Sequence, residues 1–308
     1  MSYAANLGRD RIIEALHEMG AKDLEKALDR AVLQSRIETA RLLHRLMGNP
    51  RAPAALLVNA AYTLSVEGTA FALENGAPVV AANGRRLAPV DVVLETDSRN
   101  PTAKSAILDM YVAHGLILPD TPPMALHRGR VDMLEAHLAR DPDLLTRTFA
   151  FEEIYPPELG CHDEVMATHG TPLGGTTLLH MAIDYDEMEI VRWLLAQGMP
   201  VDTRAAIDPD GFGGHTALFG TVVAQPHVKM NRQKGPYIAA TTKLLLDHGA
   251  DPNARASLRK QVHPGYLPDD RMHEYHDVTP LSWGQRFHFR ALVSQPAMEL
   301  ISAAGGKT

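Results

Sequence analysis

Residues 175–201, GTTLLHMAIDYDEMEIVRWLLAQGMPV, decide how the rest of the chain is read. Thr177-Leu178-Leu179-His180-Met181-Ala182 opens a short first helix, and Ile190, Val191, Leu194 and Leu195 form the apolar stripe of a second. Stripe positions at these spacings share one helical face. Gly198 stands where a left-handed C-cap is wanted, and Pro200 blocks continuation. Two helices this short cannot enclose a core alone, so the unit requires neighbours of its own kind.

Those neighbours are present on both sides. Upstream, residues 9–20 form an amphipathic cap helix, and 22–48 give two helices closed by Gly48. Residues 54–79 repeat the pattern more cleanly, with Ala60-Ala61, Ala72-Leu73 and Gly76-Ala77 in register. Residues 87–118 and 120–145 follow, the second opening on Asp120-Thr121-Pro122-Pro123. Downstream, a sixth copy starts at Gly214-His215-Thr216-Ala217-Leu218-Phe219, is interrupted at 225–236 and resumes to Gly249-Ala250. A seventh opens on Asp277-Val278-Thr279-Pro280-Leu281 and is interrupted at 287–294.

The threonine-to-histidine opening of 177–180, the Thr279-Pro280-Leu281 start and the Asp251-Pro252-Asn253-Ala254 exit resemble ankyrin repeats, whose period is about 33 residues. The resemblance implies an all-α repeat solenoid, an ankyrin-like stack of seven helix-turn-helix units with irregular finger loops. It implies a single domain over 1–308, with a cap at 1–21, regular repeats at 22–145 and repeats with long inserted fingers at 146–308. It also implies that Thr177, His180, Thr216 and Thr279 are structural, hydrogen-bonding within and between repeats. Where the family's histidine is expected this chain has Phe219 and Ser282, so the local hydrogen-bond pattern should be weaker there.

Composition narrows the classes. The chain of 308 residues is 45% hydrophobic, which fits a folded protein and excludes a largely disordered one. No apolar run reaches the roughly 20 residues of a membrane span. The N-terminal stretch MSYAANLGRDRIIEAL has no signal-peptide apolar region and reads as a helix start. One cysteine, Cys161, cannot form an intrachain disulfide, so a cytoplasmic setting is expected. A net charge of −7 disfavours a nucleic-acid or anionic-membrane partner.

Chemistry should sit where the repeat is broken, because packing does not demand those residues. Three insertions, 146–174, 203–214 and 255–277, precede first helices. The resemblance makes them fingers lying side by side along the concave surface. Ten of the 15 histidines lie after residue 150, most in or beside such loops. The first finger holds Cys161-His162-Asp163-Glu164 and His169 and shows no helical period; the second holds Asp208, Asp210 and a glycine-rich turn before His215. The third holds Arg259, Lys260, His263 and the run His273-Glu274-Tyr275-His276-Asp277. Imidazoles and carboxylates are ligands for zinc, iron or manganese and the usual general acids and bases. His273 and His276 would share a face on a helical turn.

Two functions follow from this pattern. In the first, the concave face and the C-terminal fingers bind a protein partner. In the second, the scaffold carries an enzyme site or small-polar-ligand site doing metal-assisted hydrolysis or acid–base proton transfer. Its catalytic set would be His215, His273, His276, Glu274 and Asp210, and its metal ligands His215, His273 and His276, with a divalent transition metal as cofactor. Binding residues in either case would be Asp208, Arg259, Lys260, His263, Asp277, Arg204 and His169. The arginines suit a carboxylate or other anion.

Overall fold

The computed structural model describes residues 1–96, 99–162, 170–223, 239–262 and 271–308. The chain packs as two compact units, Met1–Thr96 with Thr102–Leu118, and Asp97–Pro101 with Pro119–Thr308. Each is built from antiparallel helical hairpins, the all-α ankyrin-like class expected from the repeat pattern.

The first unit contains α1 (Ser2–Asn6), α2 (Asp10–Glu18), α3 (Leu24–Leu33), α4 (Ile37–Leu46), α5 (Ala55–Tyr62), α6 (Val66–Glu74), α7 (Val90–Glu95) and α8 (Pro101–Ala113). The first helices of successive hairpins pack on one another, α1 on α3, α3 on α5 and α5 on α7. Small residues allow that approach: Ala27, Ala31, Ala60 and Ala61 are fully buried at these contacts, with Leu57 and Leu43 filling the spaces. Neighbouring hairpins are also tied by threonine hydroxyls. Thr63 Oγ1 donates to the Leu33 carbonyl at 3.0 Å and Thr96 Oγ1 to the Tyr62 carbonyl at 3.1 Å. The expected single cap helix is in fact a hairpin, because Gly8, at φ +66°, turns α1 back before α2.

The second unit contains α9 (Pro122–His127), α10 (Val131–Arg140), α11 (Phe151–Ile154), α12 (Leu178–Asp184), α13 (Met188–Ala196), α14 (Ala217–Val222), α15 (Ala240–Asp247), α16 (Pro280–Arg286) and α17 (Gln295–Ala303). Here α9, α12, α14 and α16 pack in succession, each with its own second helix behind it. Up to Leu159 the first insertion is less irregular than its sequence suggests. It forms α11 and a 3₁₀ turn at Pro157–Leu159, and Phe149 pairs with Thr176 across its base. Its tyrosine, Tyr155, is fully buried beside Tyr185, and their hydroxyls share a hydrogen bond.

An ion pair sits within this packing. Arg99 Nη2 meets Asp184 Oδ2 at 2.7 Å, with both side chains almost wholly buried. Arg99 Nε also donates to the Asp184 carbonyl at 3.1 Å, and the guanidinium lies 4.6 Å from the Tyr185 ring centroid. Two charges removed from water hold only while each satisfies the other, so this contact pins residue 99 to the end of α12.

The described parts of the third finger are strands. Strands β1 (Ala256–Lys260) and β2 (His273–Val278) pair antiparallel, Leu258 opposite Tyr275 and Lys260 opposite His273. The register shifts between Ala256 and Leu258, and Asp277, at φ +48°, is the extra residue of a bulge.

Candidate functional site

The second and third fingers join into one ribbon. Gly213 donates its N–H to the Ser257 carbonyl at 2.7 Å, which docks the glycine-rich turn onto the start of β1. Only glycine fits there: its φ is +119°, and a Cβ would lie 2.0 Å from the Ala206 carbonyl oxygen. On the inner side, Ala206 N–H donates to the Gly175 carbonyl at 2.7 Å, so the ribbon is continuous with the start of the hairpin at 175–201.

Charged side chains close the ribbon. Arg259, on β1, forks onto two carboxylates of the neighbouring finger, Nη2 to Asp208 at 2.6 Å and Nη1 to Asp210 at 2.9 Å. Asp208 meanwhile folds its own turn, its Oδ1 accepting the N–H groups of Asp210 and Phe212, both at 2.9 Å. The Phe212 amide, followed by the Arg259 charge, holds the Asp208 carboxyl below its ordinary range. Arg259 also covers the Phe212 ring at 5.0 Å, and His276 approaches the same ring at 5.2 Å. Arg204 donates to the carbonyls of Gly214 and Arg255, and Arg255 forks onto Asp277.

These partners redefine most of the expected site residues. Arg204, Arg259 and Asp277 are engaged inside the ribbon, so the arginines do not form an open anion subsite. Lys260 is only 3% exposed and does not add surface charge. His273 and His276 lie on a strand, where residues three apart face opposite sides; the shared face expected from a helical turn does not exist. His273 stacks on His288 at 3.8 Å, and the Tyr275 hydroxyl and His288 Nδ1 share a hydrogen bond at 2.6 Å. His276 instead points its Nε2 to Glu274 at 3.4 Å, both side chains being exposed. His169 and His263 lie outside the described residues.

His215 takes a different place from the one expected. It is 1% exposed, donates Nε2–H to the Pro172 carbonyl at 3.2 Å and meets the His180 ring edge-on at 5.2 Å. His180 Nδ1 faces the Thr177 hydroxyl at 2.9 Å, while its Nε2–H donates to the His215 carbonyl at 3.1 Å. The two rings therefore bind successive hairpins together. Burial pushes the His180 pKa down to about 3 and that of His215 to about 4, so both are neutral. His215, His273 and His276 are thus not brought together, and among the described residues no group of three His, Cys, Asp or Glu side chains is arranged to hold a metal.

The two departures from the histidine position behave differently. Ser282 rebuilds the missing cap: its Oγ accepts the Thr279 N–H at 2.7 Å and Thr279 Oγ1 accepts the Ser282 N–H at 3.2 Å. Phe219 supplies no such partner, and Thr216 makes no side-chain cap bond.

Features the residue types did not reveal are apolar. Phe212 packs against the Arg259 guanidinium and the His276 ring, and Ile207 and Met272 stand 66% and 51% exposed within the second and third fingers. Their signal was an apolar residue inside a polar, glycine-rich insertion.

Residues 174–206 match the family model described as Ankyrin repeat, so the chain carries an ankyrin repeat at the stretch that set the register. Among solved structures, the chain is similar to the human ASB11 ankyrin repeat domain, at 16% identity over 100% of this chain and 98% of that one, with a TM-score of 0.31. It is also similar to the ankyrin repeat domain of Bcl-3, described as a unique member of the IkappaB protein family, at 14% identity over 98% and 96% of the two chains, with a TM-score of 0.29. No curated protein sequence matches the chain. Ankyrin repeats are a general protein-interaction scaffold. Among the described residues no helix is long and apolar enough to cross a membrane.

Proposed function

We propose that this chain is a protein-binding module whose contact surface is the ribbon formed by the second and third fingers. The observation that carries this reading is the fork of Arg259 onto Asp208 and Asp210, together with the Gly213–Ser257 backbone bond. These contacts order the ribbon before any partner arrives, so less conformational freedom is lost on binding. The ordered ribbon leaves Ile207, Met272, Glu274 and His276 exposed, a mixture of apolar and polar side chains of the kind protein interfaces use. Its setting would be the cytoplasm, where the buried thiol of Cys161 stays reduced.

The test is site-specific photocrosslinking in the source cell. A photoreactive side chain at Ile207 or Met272 should capture one protein species. The same group at Arg192, on the exposed side of α13, should capture none. Identical capture from all three positions, or none from the fingers, would sink the reading.

A further inference from the structure

We propose that a cleft between the start of α9, the end of α10 and α11 binds a lysine or arginine side chain carried on an extended segment of a partner protein. The cleft has a volume of about 460 Å³, within the range of roughly 300–1,000 Å³ typical of small-ligand sites. No residue of the finger ribbon lines it, so this site stands apart from the surface proposed above.

Its walls suit an aliphatic stem. Pro119, Pro122, Pro123 and Pro156 line the cleft, over a floor set by the buried Leu144 and Phe149. Prolines and a buried ring form a rigid slot that a flexible side chain can enter with little rearrangement.

Charge then decides which side chain enters. The cleft is lined by two arginines and five carboxylates. Both arginines are engaged. Arg140 donates to His137 Nδ1 at 3.0 Å and lies 3.7 Å from Asp120, whose other oxygen is 3.1 Å from His137 Nε2. Arg147 sits between Glu153 at 2.8 Å and Asp141 at 3.8 Å, with its guanidinium over Phe149 at 5.0 Å. Both cations already face carboxylates, so an incoming anion would have to compete with Asp120, Asp141 and Glu153. Among the described residues, the exposed side chains of Glu152 and Glu158 make no hydrogen bond or ion pair. The negative potential they leave is reinforced by the C-terminal end of α10, which terminates at the cleft with residues 137–140. A cation on an apolar stem meets all of these features; an anion or a purely apolar group does not.

The experiment is amide chemical-shift titration of the isotope-labelled full chain with three blocked pentapeptides, GARAG, GAKAG and GAQAG, and with cadaverine as a free-amine probe. Saturable shifts at Phe149, Glu152 and Glu158 are expected with the first two peptides and absent with the third. The double variant Glu152→Gln/Glu158→Gln removes two exposed charges without altering shape, so its melt should be unchanged while peptide affinity falls about fivefold to tenfold. Equal shifts with GAQAG, no saturable shift with any peptide, or unchanged affinity in the double variant would overturn the proposal. Saturation by cadaverine without saturation by the peptides would overturn the protein source.

Discussion

The hairpin at 175–201 and the finger ribbon that follows it use the same residue types in opposite ways. In the hairpin, His180 is 5% exposed with both ring nitrogens engaged, and with His215 it belongs to the scaffold. In the ribbon, His276 and Glu274 have side chains 68% and 51% exposed and touch chiefly each other and Phe212. The difference teaches that a histidine count locates neither region's role. Partners and burial do. A polar group that completes a repeat-to-repeat hydrogen bond is part of the frame, whereas one held at the end of a stapled strand is available to a partner.

If that contrast is right, the largest losses of stability should come from buried ties. Arg99→Ala or Asp184→Ala breaks this buried ion pair and should cost about 3–5 kcal/mol, measured by urea unfolding. Met at residue 99, with Ala at 184, should recover part of that loss, since removing both charges removes the desolvation penalty. His180→Ala should cost about 1–3 kcal/mol, because it strands the Thr177 cap and the His215 carbonyl.

The same two histidines give the fold a pH dependence. Their folded pKa values, about 3 and about 4, lie below the ordinary 6.5, so the unfolded chain binds more protons as pH falls. Their contribution is therefore complete above pH 6.5 and lost as pH drops through the window down to the folded values. Between pH 7 and pH 5 stability should fall by roughly 2–4 kcal/mol, and the slope should flatten in His180→Gln even though that variant starts lower. A flat profile in the parent protein would break the comparison on its buried side.

On the exposed side the effects should be small for folding and large for contact. His276→Ala and Glu274→Ala should leave the melting temperature within about 2 °C of the parent, because exposed substitutions away from caps and cores rarely matter. The same variants should weaken capture by the ribbon. A large drop in melting temperature would place these residues in the frame.

Much of the frame was legible because helix punctuation is local. Gly48, Gly76, Gly115, Gly198 and Gly249 all adopt positive φ where their helices end, as their spacing from the leucine stripes requires. The hairpin formed by α1 and α2 was not legible as two helices: α1 has five residues, too few to show a stripe. The strands of the third finger were hidden for a different reason. In β1 the alternation ends on Lys260, a charged residue in a buried position, and in β2 the bulge at Asp277 breaks the period of two. The sequence placed His215 with the finger histidines because it adjoins the glycine turn. Only the fold shows that it already lies inside, one residue before the Thr216 cap of α14. Arg99 and Asp184 are 85 residues apart, and no local pattern joins them.

The most direct measurement is hydrogen exchange of the free chain at the Gly213 amide, whose N–H reaches the Ser257 carbonyl across the two fingers. If the ribbon is ordered before binding, this amide should be protected at least a hundredfold over an open loop, and Arg259→Ala should remove most of that protection without changing exchange in α12. Exchange of Gly213 at the rate of an unstructured loop in the parent protein would contradict a preformed binding surface.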